Sequence, residues 1–411
     1  MSDTLFLQYH TLTSYPGTLL NRDDAGFAKV LPFGNAKRTR VSSQCLKYHW
    51  RSYEGEHSLR DVADMSVRSR HTFRKKIAEP VVEEGLPERA TAAVTYALSQ
   101  MVLNGETTKS EIRDNAKSAL DNDDPLSVTD LDRIVVFGEA EVDYLKSVAK
   151  EALEGLKEED YDPESEAETS TAVYNVLRDN DLRSNLRALG NAMGLDAAMF
   201  GRMVTSDILA QGDAAVHVAH AITTHKQKSE NDYFTAVDEL KDEDTGGTES
   251  GAALIQSKEL TSGLFYGYIV VDVPLLVSNL EGCPREDWKY ADHELTEEVL
   301  RRFTKMLGVV SPGAKLSSTA PYSRSEFLMV ESGQVQPRTL ANAFKEAVDG
   351  EDLLEESVQA LTDYTERIDG MYGKNEERVV ATIAQADAPA EPTAIDDIAD
   401  NWIPSQIAVS S

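Results

Sequence analysis

The residues best suited to chemistry lie in one short stretch. They are Arg22 and then Lys37-Arg38-Thr39-Arg40-Val41-Ser42-Ser43-Gln44-Cys45-Leu46-Lys47-Tyr48-His49-Trp50-Arg51. Ser42-Ser43 predicts an N-cap for a helix over about residues 44–53. On that helix Gln44, Lys47 and Arg51 recur at spacings of three and four, so they share a face. The capped end presents backbone N–H groups at the positive end of the helix dipole, a ready anion site. Cations beside such a terminus suit a phosphodiester strand, with Lys37, Arg38 and Arg40 just before the helix and Arg22 on the preceding loop. An ordinary solvated basic face has the same pattern, and on pattern alone both readings stand.

Charge distribution sharpens the point. The 411 residues carry 41 Lys and Arg against 71 Asp and Glu, a formal net charge of −30. Phosphate binding rests on cations that displace counterions, so the sum argues against nucleic acid. Residues 22–76, however, hold thirteen basic and six acidic side chains, leaving −37 for the remainder. A basic segment on an acidic body makes a directed site on a repelling background.

Four other groups are candidates. Gly201-Arg202-Met203 places a cation beside an apolar side chain, as in a wedge between bases with an arginine on phosphate. Pattern alone favours core filler for Met203. Phe234 and Leu254 flank the polar run 244–251 and would contact a partner if that run is exposed; packing on their own body is the alternative. Lys315 follows Ser311-Pro312-Gly313-Ala314 and could reach phosphate, but the spacing is not that of a P-loop. His217, His220 and His225 are the best metal candidates, yet neither a cysteine nor a suitably spaced carboxylate completes a tetrahedral set. The expectation is no metal and no cofactor. No nucleophile elbow, dinucleotide fingerprint or HExxH is present, so catalysis has no positive signal.

The elements that must position these residues follow from patterning. Residues 4–12 read as a mostly buried strand, and Pro32-Phe33-Gly34-Asn35 as a turn before Thr39-Arg40-Val41. Residues 59–209 are helical in pattern, with amphipathic stretches at 88–103, 139–156 and 172–193. Tyr233 to Val237 reads as a short helix or turn within a distinct unit, 225–263. Residues 265–273 are the clearest strand. A helix over 296–307, a strand over 327–331, and helices over 339–348 and 353–368 follow, and the tail from about residue 386 reads as loosely ordered. Sheet elements at both ends with helices between them predict one α+β sheet domain carrying insertions. Cys45 and Cys283 fit neither a disulfide framework nor a metal site, and neither a signal peptide nor a transmembrane run is expected, which points to the cytoplasm.

In these residues the chain resembles the CasC-type backbone subunit of type I-E CRISPR Cascade, the guide-RNA-binding filament subunit. The matching runs include Leu20-Asn21-Arg22-Asp23-Asp24, Phe33-Gly34, Ser43-Gln44-Cys45-Leu46-Lys47, Gly201-Arg202-Met203-Val204-Thr205-Ser206, Ala219 to His225, Tyr233 to Asp238, Ser262 to Tyr266, Pro312-Gly313-Ala314-Lys315 and Ala341-Asn342-Ala343-Phe344. They occur in the family's order from about residue 5 to 365. The resemblance implies a hand: a modified RRM-like (ferredoxin-like) palm at 1–58, 215–224 and 264–370, helical fingers at 59–214 and a thumb at 225–263, followed by an acidic tail at 386–411. It implies that Arg22, Ser42, Gln44, Lys47 and Arg51 follow the crRNA backbone. Met203, Phe234 and Leu254 would border bases, and Lys315 would approach RNA. Implied partners are crRNA, further copies of the chain in a helical filament, the other Cascade subunits and target DNA through the crRNA, with no membrane and no catalysis. The acidic run 158–168 departs from relatives that often carry lysines thought to face DNA, which leaves Lys146 and Lys150 as the nearby cations. Two other classes compete. One is a metal-dependent ribonuclease using Asp23, Asp24 or Asp207; the other is an acidic interaction protein without nucleic acid.

Overall fold

A computed structural model describes residues 5–104, 110, 123–155, 177, 182–189, 193–202, 209, 212–237, 252–314 and 316–408. The chain divides into two compact units. One comprises residues 1–59, 217–274 and 293–411, the other 60–216 and 275–292.

The described strands, in chain order, are β1 (Phe6–Thr18), β2 (Val30–Phe33), β3 (Ala36–Val41), β4 (Val67–Ser69), β5 (Val135–Phe137) and β6 (Val216–Val218). Then come β7 (Ala221–Thr223), β8 (Ser229–Val237), β9 (Ala252–Asp272), β10 (Ser325–Gly333) and β11 (Glu376–Thr382). The longer helices are α1 (Ser43–Arg51), α2 (Glu88–Asn104), α3 (Glu139–Glu154), α4 (Glu294–Val309) and α5 (Leu353–Tyr372).

The first unit is built on an antiparallel sheet in the order β11-β10-β1-β9-β7-β3-β2, with β6 and β8 also paired to β9. β1 is central: Tyr9 lies opposite Val330 of β10 and Ile269 of β9. The strand is buried on both faces, so Gln8, His10 and Thr11 are buried along with Leu7, Tyr9 and Leu12. On one face Trp50 of α1 and Tyr9 of β1 both meet Phe303 of α4 edge-on, at centroid distances of 5.3 and 6.1 Å. On the other, Leu12, Tyr266, Phe327 and Met329 pack with Val358 and Leu361 of α5. Fully burying each such side chain contributes about 1.5–3 kcal/mol.

The second unit has its own core. Val94, Ala97, Leu98 and Val102 of α2 cluster with Val142, Leu145 and Val148 of α3 and with Phe73 and Phe137. Gly138 donates its N–H to Glu141 Oε2 at 3.0 Å, closing the first turn of α3. β4 and β5 form a separate two-stranded ribbon.

Several sequence expectations are corrected. Tyr233 to Val237 lies in β8, a strand paired residue by residue with β9, and not in a short helix or turn. Aromatic and β-branched residues favour a strand once a partner exists, and that partner follows the polar run 244–251. Residues 339–348 form only a 3-10 turn, Ala341–Phe344. Their backbone groups bond elsewhere: Leu340 N–H to the Tyr266 hydroxyl, the Phe344 carbonyl to Arg38, and Val348 N–H to the Thr224 carbonyl. The tail is packed rather than loose. Ile398, Ala399, Ile403 and Ile407 are buried, and Lys305 Nζ lies 3.0 Å from Asp396 and 2.9 Å from Asp400. No helix among the described residues is long and apolar enough to cross a membrane, and both cysteines are free.

Candidate nucleic-acid interface

The basic stretch folds as a hairpin followed by a helix. β2 and β3 pair from Val30↔Thr39 to Phe33↔Ala36, with Gly34-Asn35 as the turn. Gly34 has φ +58°, and a Cβ there would lie 1.7 Å from the Lys345 carbonyl oxygen. Asn35 N–H donates to that same carbonyl at 3.0 Å, so the turn is held against the chain beneath it. Gly34→Ala should therefore cost at least about 2 kcal/mol, from the left-handed backbone and the clash together, and should displace the hairpin. Chemical denaturation checks this, and an unchanged midpoint would show that the turn relaxes freely.

The hairpin leads into α1 through Ser42. Its side chain accepts from Cys45 N–H at 3.4 Å, and its own N–H donates to Asn21 Oδ1 at 3.0 Å, which ties the loop carrying Arg22 to the start of the helix. That loop is itself ordered. Asp23 accepts from the N–H groups of Ala25 and Phe27, and Lys29 N–H donates to the Asn21 carbonyl. At the far end of α1, His49 Nε2 accepts from Gly313 N–H at 3.2 Å, while Ala314 N–H donates to the Leu19 carbonyl. Burial lowers the pKa of His49, consistent with a neutral acceptor. Loop 21–29, hairpin, α1 and residues 311–314 thus form one hydrogen-bonded assembly.

The predicted site residues divide into three groups. Arg22, Lys37 and Gln44 are exposed; Arg40, Lys47 and Arg51 are half-buried; Ser42 is buried as the cap. Arg40 donates to His220 Nδ1 at 3.0 Å, and burial together with the Arg40 and Lys29 charges lowers the His220 pKa. Arg38, by contrast, is fully buried. Its guanidinium donates to the carbonyls of Thr224 and Phe344 at 2.6 Å and of Thr223 at 3.2 Å, so it braces the sheet from within rather than facing solvent. Alternation along β3 separates Lys37 from Arg38 but puts Arg38 and Arg40 on one face, so local spacing does not mark Arg38 as the inward cation.

Arg202 is also internal. It is 3% exposed, and its Nη1 lies 2.5 Å from Glu141, which is equally buried. A desolvated cation spent on a buried carboxylate acts as a strut. Phe234 pairs with Gln256 and Leu254 with Ala236 in the β8–β9 ladder. Met203, Lys315 and Asp207 lie outside the described residues, as does the run 158–168. Lys146 and Lys150 both pair with Glu84, at 3.0 and 2.5 Å.

The three histidines do not converge on a metal. His225 is buried, with Nδ1 donating to the Lys226 carbonyl at 2.6 Å and Nε2 accepting from Leu264 N–H at 3.2 Å; His220 is engaged by Arg40. Among the described residues no group of three or more His, Cys, Asp or Glu could hold a metal ion. Sequence reasoning missed His49 as the link between α1 and residues 311–314. A histidine inside a basic run carries no pattern that reveals its partner.

An antiparallel sheet of mixed α/β architecture, with a basic helix capped at the sheet's edge and a long hairpin leaving it, defines the class of the fold. The model of the CT1975-like protein family matches residues 7–403, and the chain belongs to that family. Comparison with curated proteins gives no match. Among solved structures the chain is similar to one described as "CRISPR RNA-guided surveillance complex, pre-nicking", at 23% identity and a TM-score of 0.71, covering 98% of this chain and 100% of that one. A second similar chain, in a "CRISPR RNA-guided surveillance complex", has 19% identity and a TM-score of 0.54, with 97% and 99% covered. The fold is thus one found in subunits of CRISPR surveillance complexes.

Proposed function

We propose that the protein is the crRNA-binding backbone subunit of a type I-E CRISPR surveillance complex. In this reading several copies line one guide strand in a helical filament, and the chain performs no catalysis. The observation that carries it is the joined surface of loop 21–29, the β2–β3 hairpin and α1. Arg22, Lys37, Arg40, Gln44, Lys47 and Arg51 stand there, within the basic segment 22–76 of a chain that carries −37 outside that segment. Contacts to phosphate are blind to sequence, as a scaffold for any guide must be; the sequence is then read by guide–target pairing. The first unit supplies the palm, and the β8–β9 hairpin, which carries Phe234 and Leu254, supplies the thumb. The fold shared with surveillance-complex subunits supports the same reading. Asp23 is engaged by backbone N–H groups of its own loop, and nothing in that geometry favours a ribonuclease.

The test is co-expression with a CRISPR transcript and the partner subunits, with mass and nucleic-acid content read by light scattering and absorbance. Several copies on one RNA, dissociated by high salt, are expected; a nucleic-acid-free monomer in the presence of all partners would overturn the reading. Within it, Lys47→Ala should weaken RNA binding for all sequences alike and lower the salt slope by about one. Binding isotherms over a salt series measure this, and an effect confined to particular guides would count against backbone recognition.

A further inference from the structure

Three of the exposed large apolar side chains, Phe27, Val30 and Tyr48, belong to the basic segment 22–76. Tyr48 is the one on α1, and 53% of its surface is exposed. It lies four residues after Gln44, directly after Lys47 and one turn before Arg51, whose guanidinium carbon sits 5.4 Å from the Tyr48 ring centroid. The ring therefore stands among the cations of the interface, with one of them already stacked on it.

The platform beneath it is rigid. α1 is capped by Ser42 at one end, anchored by buried Trp50 at the other, and bonded through His49 to Gly313. A ring on a rigid helix with two side-chain torsions loses little entropy on contact. Cations that track a phosphate strand, interleaved with aromatic rings, are the combination that binds single-stranded nucleic acid, because every base has a π-face.

We propose that Tyr48 stacks on an unpaired nucleobase of the bound strand while Arg51 holds the ring and Lys47 faces the neighbouring phosphate. The inference rests on the RNA-binding reading above and adds to it a contact to a base that is indifferent to which base it is. It also predicts that aromatic replacements keep the function, whereas removing the ring does not.

The experiment uses the full chain, an oligouridine probe and a probe of equal length with abasic riboses, with affinity read by fluorescence anisotropy over a salt series. Wild type should bind oligouridine in a salt-sensitive manner and the abasic probe at least about five-fold more weakly. Tyr48→Ala should lose about the same factor on oligouridine, treat both probes alike and keep the salt slope, because no charge is removed. Tyr48→Phe and Tyr48→Trp should bind as wild type, and all three variants should melt as wild type because the residue is exposed. If wild type binds and Tyr48→Ala weakens both probes equally, or neither, the stacking proposal fails while the RNA-binding reading stands. If Tyr48→Ala leaves RNA affinity unchanged but blocks association of copies, the ring belongs to a protein contact and the proposal fails. Absence of any salt-sensitive binding by wild type would overturn both.

Discussion

Glu331→Ala should destabilise the first unit by about 3–5 kcal/mol, among the largest single-residue effects expected in this protein. Glu331 of β10 is fully buried at the centre of a charged network. Arg338 donates to both its carboxylate oxygens, at 2.6 and 3.0 Å, and Arg378 Nε donates to Oε1. Arg378 in turn grips Asp369 of α5 with a second pair of bonds. Removing the carboxylate leaves two arginines desolvated without their common counter-ion, which costs far more than the pair contributes in net stability. Denaturant unfolding measures it, and a loss below about 1 kcal/mol would show that Asp369 and Glu376 take over the arginines.

The same network makes the fold sensitive to acid. Burial opposes the Glu331 charge, yet the hydrogen bonds from His10 and Arg338, together with the Arg338 charge, hold its pKa far below the usual carboxylate range. Burial lowers the pKa of His10, against the opposing pull of Glu331. The neutral ring then accepts from the Tyr266 hydroxyl at Nδ1, 2.8 Å away, and donates from Nε2 to Glu331 at 3.1 Å. Both groups bind protons more weakly folded than unfolded, so stability rises with pH across their windows. His10's contribution is complete above about pH 6.5 and that of Glu331 above about pH 4.5, and each is lost as pH falls below its value. The urea midpoint should therefore decline from pH 6.5 downward and fall more steeply below 4.5. A midpoint flat between pH 7 and 4 would contradict this account.

Arg202→Ala is expected to have a comparable effect in the second unit, about 3–5 kcal/mol. Its partner Glu141 also holds the first turn of α3 through Gly138 N–H, so a lone buried carboxylate would disturb that helix start as well. The double variant Arg202→Met with Glu141→Leu should recover most of the loss, because apolar residues of similar volume often replace a buried ion pair without cost. The pair of variants also separates the two roles considered for Arg202. If the arginine is a strut, the double variant binds RNA as wild type does. Normal stability with persistently weak RNA binding would instead favour the phosphate contact.

Much of the site was legible in residues close together in the chain. The Ser42 cap, the shared face of Gln44, Lys47 and Arg51, and the turn at Gly34 depend on local spacing, and the structure has all three where local rules put them. β1 and the C-terminal part of β9 were legible because each gathers aromatic, apolar and β-branched residues in a short run that favours a strand. The excess of acid over base and the basic island at 22–76 are properties of composition and need no fold.

What the sequence could not supply are the choices made between distant segments. Lys37, Arg38 and Arg40 look alike as cations. Only the carbonyls of Thr224 and Phe344, brought close by the sheet, decide that Arg38 turns inward. Glu141, 61 residues away, decides the same for Arg202. Residues 339–348 have helical periodicity, but tertiary hydrogen bonds claim their backbone groups. The acidic tail reads as solvated until Lys305 and the surface of α4 give its aspartates and isoleucines partners. Local spacing fixes which side chains share a surface. Burial, and with it whether a charge serves as a contact or as a strut, is fixed by atoms far away in sequence, because desolvation depends on everything packed around the group.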